Sequence, residues 1–244
     1  MRYDDRIDAL SLGSFFLDGV EVEFGHGESI LEAATRAGHY IPHLCWHPEF
    51  GANGSCRLCT VRINGRIGAA CTVQAAAGQK VESNIDDLNA QRKTLLQMLF
   101  IEGNHFCPSC EKSGDCHLQA TAYQIGMEGP HFEEFYPHRR VDASHPDLLL
   151  DLNRCILCSL CVRASHEVDR KDVFAIGGHG IKTHLLVNSP SGQMADSALL
   201  PADRSANICP VGAIVHKRRG FVTPIGQRRF DTAPVSEQID ESRL

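Results

Sequence analysis

The chain has 244 residues, 43% of them hydrophobic and 22% charged, with a formal net charge of −6. That length allows one large domain or two to three small ones, and the acidic balance gives no support for a nucleic-acid or anionic-membrane partner. No apolar run approaches membrane-spanning length. The opening Met1-Arg2-Tyr3-Asp4-Asp5 has early acids and no apolar signal core, so a cytoplasmic protein is expected. Eleven cysteines are many for that compartment, where disulfides are disfavoured and metal ligation is the better reading. Iron–sulfur clusters take thiolates, typically about four each. Two all-cysteine clusters leave three cysteines over, which need one substitute ligand, and histidine is the obvious one.

In chain order, Phe15–Leu17 and Val20–Phe24 are short β-like runs joined by Asp18-Gly19, a hairpin signal. Ser29 with Glu32 three residues on reads as a capping box for a helix over Ile30–Ala37, stopped at Gly38. Thr60–Ile63 leads into a second hairpin turn, Asn64-Gly65. These elements predict a small β-sheet with one crossing helix. Within them Cys45, Cys56, Cys59 and Cys71 are spaced C-x10-C-x2-C-x11-C, near Gly51, Gly54 and Ser55. A loop that wraps a cluster must turn its amides towards the sulfides, and glycine permits the φ values this needs. A four-cysteine zinc site is the alternative, but such sites usually carry two close pairs, and this group has one. His39, His43 and His47 read as surface or loop histidines rather than ligands.

Ile85 to Ile101 reads as a helix, with Leu88, Leu95, Leu96, Leu99 and Phe100 as its apolar stripe and Gly103 as its end. Then follow His105, Cys107 and Cys110, with Cys116 after a five-residue gap. Three cysteines with one histidine complete a four-ligand set. His105 is the expected ligand, with His117 and Asp115 as alternatives.

The third group, Cys155-x2-Cys158-x2-Cys161, has a distant partner in Cys209-Pro210. Bacterial two-cluster ferredoxins repeat C-x2-C-x2-C-x3-C-P, and the fourth cysteine of each run serves the other run's cluster. Here the fourth position of the first run is Ser165, and the first three of the second run are Leu199, Ala202 and Ser205. The four cysteines that remain belong to one cluster, and the other cluster's ligands are absent. Gly177-Gly178-His179-Gly180, in the insert between the runs, reads as a loop or turn. The tail beyond Ile214, with Lys217, Arg218, Arg219, Arg228 and Arg229, reads as a solvated terminus or an arm for a partner subunit.

Dinucleotide and phosphate-loop fingerprints are missing, and no nucleophile–base arrangement can be argued. Reaction sites are therefore expected on partner chains.

Residues 14–116 resemble the N-terminal part of the large iron–sulfur subunit of bacterial NADH dehydrogenase, on the strength of these cysteine groups. To about residue 220 the chain resembles the small iron–sulfur subunit in the diaphorase half of soluble NAD-reducing nickel–iron hydrogenases, to which the short His105-Phe106-Cys107 spacing is also similar. The resemblance implies an α+β chain with four parts. Residues 1–84 form a plant-type ferredoxin β-grasp domain holding a [2Fe–2S] cluster on Cys45, Cys56, Cys59 and Cys71. Residues 85–140 form a helical segment holding a [4Fe–4S] cluster on His105, Cys107, Cys110 and Cys116. Residues 141–220 form a bacterial-ferredoxin-like module holding a second [4Fe–4S] cluster on Cys155, Cys158, Cys161 and Cys209, and 221–244 are the tail. It further implies a non-catalytic electron-transfer subunit of an oxidoreductase complex, with a flavin- and NADH-binding diaphorase subunit and nickel–iron hydrogenase subunits as partners. An equivalent subunit of a formate dehydrogenase or NADH:quinone dehydrogenase is the alternative, and a zinc-stabilised binding module the rival of another class.

Overall fold

The computed structural model describes residues 13–238. The opening residues read above for a signal segment, and the last six of the tail, lie outside the described residues.

Strands β1 (Gly13–Leu17) and β2 (Val20–Phe24) form the expected hairpin. Its turn residues Asp18 and Gly19 both have positive φ, 50° and 86°, as this tight turn requires. Alternate residues Phe15, Leu17, Val22 and Phe24 face inward and are buried. Helix α1 (Ile30–Arg36) starts at the expected capping box. The Glu32 amide donates to Ser29 Oγ at 3.2 Å, and the Ser29 amide donates to Glu32 Oε2 at 2.8 Å. Its Ile30, Leu31, Ala33 and Ala34 face packs on the sheet.

Two short strands, β3 (Trp46–His47) and β4 (Gly51–Ala52), pair with each other. Strands β5 (Thr60–Ile63), β6 (Arg66–Ala69) and β7 (Lys80–Glu82) complete a five-stranded sheet of order β2-β1-β7-β5-β6. Only the central β1–β7 pair is parallel. A mixed sheet crossed by one helix is the expected β-grasp arrangement.

Helix α2 (Asp86–Glu102) ends at Gly103 as expected. Leu88 and Leu96 are fully buried, and Leu95, Leu99 and Phe100 pack in the same apolar cluster as Leu96. Arg92 lies on the same stripe, four residues from each of the two buried leucines, and is only 2% exposed. Its guanidinium donates to the carbonyls of Leu58, Ser83 and Thr60 at 2.6–2.9 Å and to Asn89 Oδ1 and Ser83 Oγ. A buried charge is tolerated only with its donors satisfied, and here they pin α2 to the β5 region. Helix α3 (His117–Gln124) follows the second cysteine group.

The third module has strands β8 (Val141–Asp142) and β9 (Leu148–Asp151), helix α4 (Leu160–Glu167), the hairpin of β10 (Phe174–Gly177) and β11 (His184–Val187), helix α5 (Arg204–Asn207) and strand β12 (Ile214–His216). Its sheet runs β12-β9-β8. The Gly177–Gly180 stretch falls at the β10 end and the following turn, as expected.

Three of the four positions of the missing cluster are buried in the fold, and the fourth, Ala202, is exposed. Ser165 and Ser205 are fully buried, and Leu199 belongs to the apolar core with Leu148, Leu150 and Phe174. Ser165 Oγ accepts from the Val173 amide at 2.6 Å.

Two expectations need correction. Of the histidines read as surface or loop residues, His43 lies in a loop but is buried, and His47 is buried in β3. His43 Nδ1 lies 2.7 Å from the Ile41 carbonyl and its ring meets Trp46 edge-on, while His47 Nδ1 accepts from the Glu49 amide. The tail is not a loose terminus through its described part. Helix α6 (Arg229–Thr232) folds back on the second cysteine group: the Phe230 amide donates to the Gly114 carbonyl at 2.8 Å, and the Phe230 ring meets His117 edge-on at 5.0 Å. Exposed basic and apolar residues remain between, at Arg218, Phe221, Val222 and Ile225.

The three modules share their cores. Cys45 and Phe50 pack into the apolar cluster of the third module, and Leu44 and Leu58 into that of α2 and α3.

Candidate metal centres

Cys45 precedes β3, Cys56 and Cys59 lie in the loop leading to β5, and Cys71 follows β6. The fold gathers them in two close pairs. The Cys56 amide donates to Cys45 Sγ at 3.4 Å, and the Cys59 and Cys71 sulfurs are 3.2 Å apart. Thiol–thiol hydrogen bonding splits each pair. The bond from Cys56 pulls Cys45 down to about 5, and the bond from Cys59 lowers Cys71, which also feels the charges of Cys45 and Cys56. Both donor thiols are pushed up correspondingly. A thiolate in each pair is the form that binds iron.

Cys107 and Cys110 lie on one tight turn, where the Cys110 amide donates to the Cys107 carbonyl at 3.2 Å. Cys116 caps α3 from a buried position. Burial pushes its thiol up to about 12, and the charges of Cys110 and Cys107 add to the effect. His105 stands beside Cys107, whose amide donates to the His105 carbonyl at 3.0 Å. Burial holds its imidazole neutral, down at about 4, and its Nε2 is a buried nitrogen with no hydrogen-bond partner. Gly103 makes this position possible, since a Cβ there would lie 2.6 Å from that Nε2. The two alternatives are otherwise engaged. His117 Nε2 lies 3.3 Å from Arg229 Nη1, and Asp115 pairs with Lys112 at 2.7 Å.

Cys155, Cys158, Cys161 and Cys209 line one small cavity of about 20 Å³, walled by Ile156, Ile176, Leu185, Val211, Ala213 and Ile214. Burial pushes Cys155 up to about 11 and drives Cys158 and Cys161 higher still. Buried thiolates in an apolar shell are costly unless positive charge is present, which cluster iron supplies. The loop backbone fits the same purpose. Leu157 and Ser159, the residues before and after Cys158, have φ of 54° and 62°, and Arg57 after Cys56 has 59°. A left-handed conformation at non-glycine residues costs about 1–3 kcal/mol each and persists where function holds it.

The third group touches both others. Arg163, on the helix that carries Cys161, donates through Nη2 to the Cys45 carbonyl at 2.8 Å. Arg154, next to Cys155, reaches Cys110 Sγ with Nη1 at 3.7 Å. The His117 amide also donates to the Pro210 carbonyl at 2.9 Å. Sequence reasoning missed both arginines. Each directly precedes or follows a cysteine of the C-x2-C-x2-C run by one or two positions, which is the only local signal they leave.

A β-grasp sheet, a ferredoxin-like module and three thiol groups define the class: an iron–sulfur protein of ferredoxin-type domains. Family comparison agrees, with a 2Fe-2S iron-sulfur cluster binding domain at residues 14–85, an NADH-ubiquinone oxidoreductase-G iron-sulfur binding region at 92–131 and a 4Fe-4S single cluster domain at 148–216. The gamma subunit of the NAD-reducing hydrogenase HoxS of Cupriavidus necator is 36% identical over 90% of this chain and 93% of its own length. A chain in the crystal structure of an NAD+-reducing [NiFe]-hydrogenase in the H2-reduced state is 56% identical, with a TM-score of 0.92 over 96% of this chain and all of that one. The NADH-quinone oxidoreductase G protein of Escherichia coli is 29% identical over 84% of this chain but only 23% of its own length. The chain belongs to the family of the NAD-reducing hydrogenase gamma subunit, and it is an iron–sulfur electron-transfer chain. Among the described residues no helix is long and apolar enough to cross a membrane.

Proposed function

We propose that this chain is the electron relay between a nickel–iron hydrogenase module and a flavin- and NAD-binding diaphorase subunit, working in the cytoplasm. One observation carries the reading: the third thiol group adjoins both others through Arg163 and Arg154, so that all three candidate sites form one connected path.

The proposed ligands are Cys45, Cys56, Cys59 and Cys71 for one [2Fe–2S] cluster. His105, Cys107, Cys110 and Cys116 would hold one [4Fe–4S] cluster, and Cys155, Cys158, Cys161 and Cys209 a second. The donor chemistry supports this set, with unpartnered His105 Nε2 and a cavity lined by all four cysteines of the third group. Bound there, the clusters would supply one-electron transfer without bond chemistry at the protein. The chain's residues hold the thiolates, exclude water and set the local charge. The partners perform the coupled reaction, in which hydrogen yields two protons and two electrons and NAD⁺ takes up both electrons with one proton. One cluster per part, over 1–84, 85–140 and 141–220, with 221–244 as a tail, is the proposed division. Eleven free cysteines suit a reducing compartment.

The test is Cys161→Ala in the assembled complex. Hydrogen-dependent NAD⁺ reduction should be lost while dye-linked hydrogenase activity survives; unchanged coupled activity would refute the relay. Similarity to the NADH-quinone oxidoreductase G protein favours a second reading, an equivalent relay in another dehydrogenase. Metals that co-purify separate the two: nickel marks a hydrogenase partner, and molybdenum or tungsten a formate dehydrogenase.

A further inference from the structure

We propose that Arg154 is a positioning residue that tunes the His105-side cluster and links it to the cluster of the third group. The inference rests on the ligand assignment above.

Arg154 directly precedes Cys155 in the chain, and its side chain crosses to the other thiol group. Nη1 donates to Cys110 Sγ at 3.7 Å, to Glu111 Oε2 at 2.7 Å and to the Gly212 carbonyl at 3.4 Å. Nε pairs with Asp151 at 3.1 Å. Two carboxylates on different segments hold the planar fork in one orientation, a use to which a guanidinium is suited and an ammonium is not. The side chain is largely buried, with about a fifth of its surface exposed. The joint admits no extra atom: a Cβ on Gly212 would lie 2.6 Å from Cys110 Sγ and 3.4 Å from Arg154 Nη1. Gly212 follows Cys209-Pro210-Val211, so both segments that carry third-group cysteines converge on Cys110.

An N–H donor on a ligating sulfur withdraws electron density and favours the reduced, more negative cluster, which raises its potential. The guanidinium keeps its charge at every physiological pH, so the effect is a fixed bias rather than a switch. A histidine in place of one thiolate at this site acts in the same direction. Arg154 thus adds to the bias of the His105 cluster, while its backbone is continuous with Cys155 of its neighbour. With clusters bound, Arg154 would be the single residue that joins Cys110 of one site to Cys155 of the other.

The experiment is a redox titration followed by electron paramagnetic resonance on the intact complex, with iron counted per chain, for wild type, Arg154→Gln and Arg154→Lys. The proposal expects both four-iron signals to remain in Arg154→Gln, with the His105-side signal at a more negative midpoint and the other moved less. Arg154→Lys should recover part of the shift. Unmoved midpoints in Arg154→Gln with both signals present would overturn it. Should Arg154→Gln lose iron, Arg154→Lys serves instead: it keeps the positive charge but loses the fork that Glu111 and Asp151 hold against Cys110, so the same midpoint must still fall, and an unmoved one with full iron overturns the proposal. A wild-type complex without two distinct four-iron signals would count against the ligand assignment itself, a separate failure.

Discussion

Arg163 Nη2 donates to the backbone carbonyl of Cys45 at 2.8 Å, while its Nη1 donates to the carbonyls of Phe50 and Gly51 at 3.1 and 2.8 Å. One side chain on α4 thus fixes the loop that opens the first thiol group. Its guanidinium carbon also lies 5.9 Å from the centre of the Phe50 ring. Arg163→Ala leaves three carbonyls without this donor at a part-buried joint, and the expected loss is about 2–4 kcal/mol. Urea unfolding of the purified chain measures it, and the two-iron absorption should bleach at lower urea than in wild type. An unchanged midpoint would show the two modules to be held by other contacts.

Arg92 makes the corresponding joint between α2 and the first module. Arg92→Met keeps the apolar stem but strands the carbonyls of Leu58, Ser83 and Thr60. The expected cost is about 3 kcal/mol, read as a lowered thermal midpoint with iron content intact at low temperature.

Leu199 occupies a position that a second cluster's cysteine holds in two-cluster ferredoxins. It is 2% exposed within the third module's core. Leu199→Ala should therefore cost about 2–5 kcal/mol, as cavity formation in a packed core does, without changing iron per chain. A cost below about 1 kcal/mol would indicate a loosely filled site.

His105 and His117 separate cleanly. His105→Cys replaces a neutral imidazole with a thiolate, so the cluster beside it should titrate at a more negative potential. His117→Ala should retain full iron and an unshifted potential, because Nε2 of His117 already faces Arg229 at 3.3 Å. Iron loss in His117→Ala with full iron in His105→Ala would reverse the assignment.

Local signals were legible in the sequence. The Asp18-Gly19 turn and the Ser29–Glu32 capping box depend on residues within a few positions of each other, and both form as expected. The close spacings within Cys56–Cys59, Cys107–Cys110 and Cys155–Cys161 were legible for the same reason, whereas Cys71 and Cys209 join their groups only through the fold. Arg92 was not: on an apolar stripe, a long cationic side chain normally reaches solvent, and only the distant carbonyls of Leu58 and Thr60 make its burial tolerable. The burial of His43 and His47 was not legible, because their partners, such as Trp46 and Phe50, come together only once the β3–β4 pair forms. Leu157 and Ser159 carry no propensity for left-handed backbone, so the loop shape could not be read from their types. The tail's contacts with Gly114 and His117 span more than a hundred residues of chain, beyond any local pattern.

The most direct measurement is iron, acid-labile sulfide and zinc per chain in protein purified without oxygen. One [2Fe–2S] and two [4Fe–4S] clusters require about ten irons and about ten sulfides with negligible zinc. About six irons would leave one four-iron site unfilled or misassigned, with the His105 site the first suspect. Stoichiometric zinc with little iron or sulfide would contradict the relay outright and make the chain a zinc-stabilised binding module.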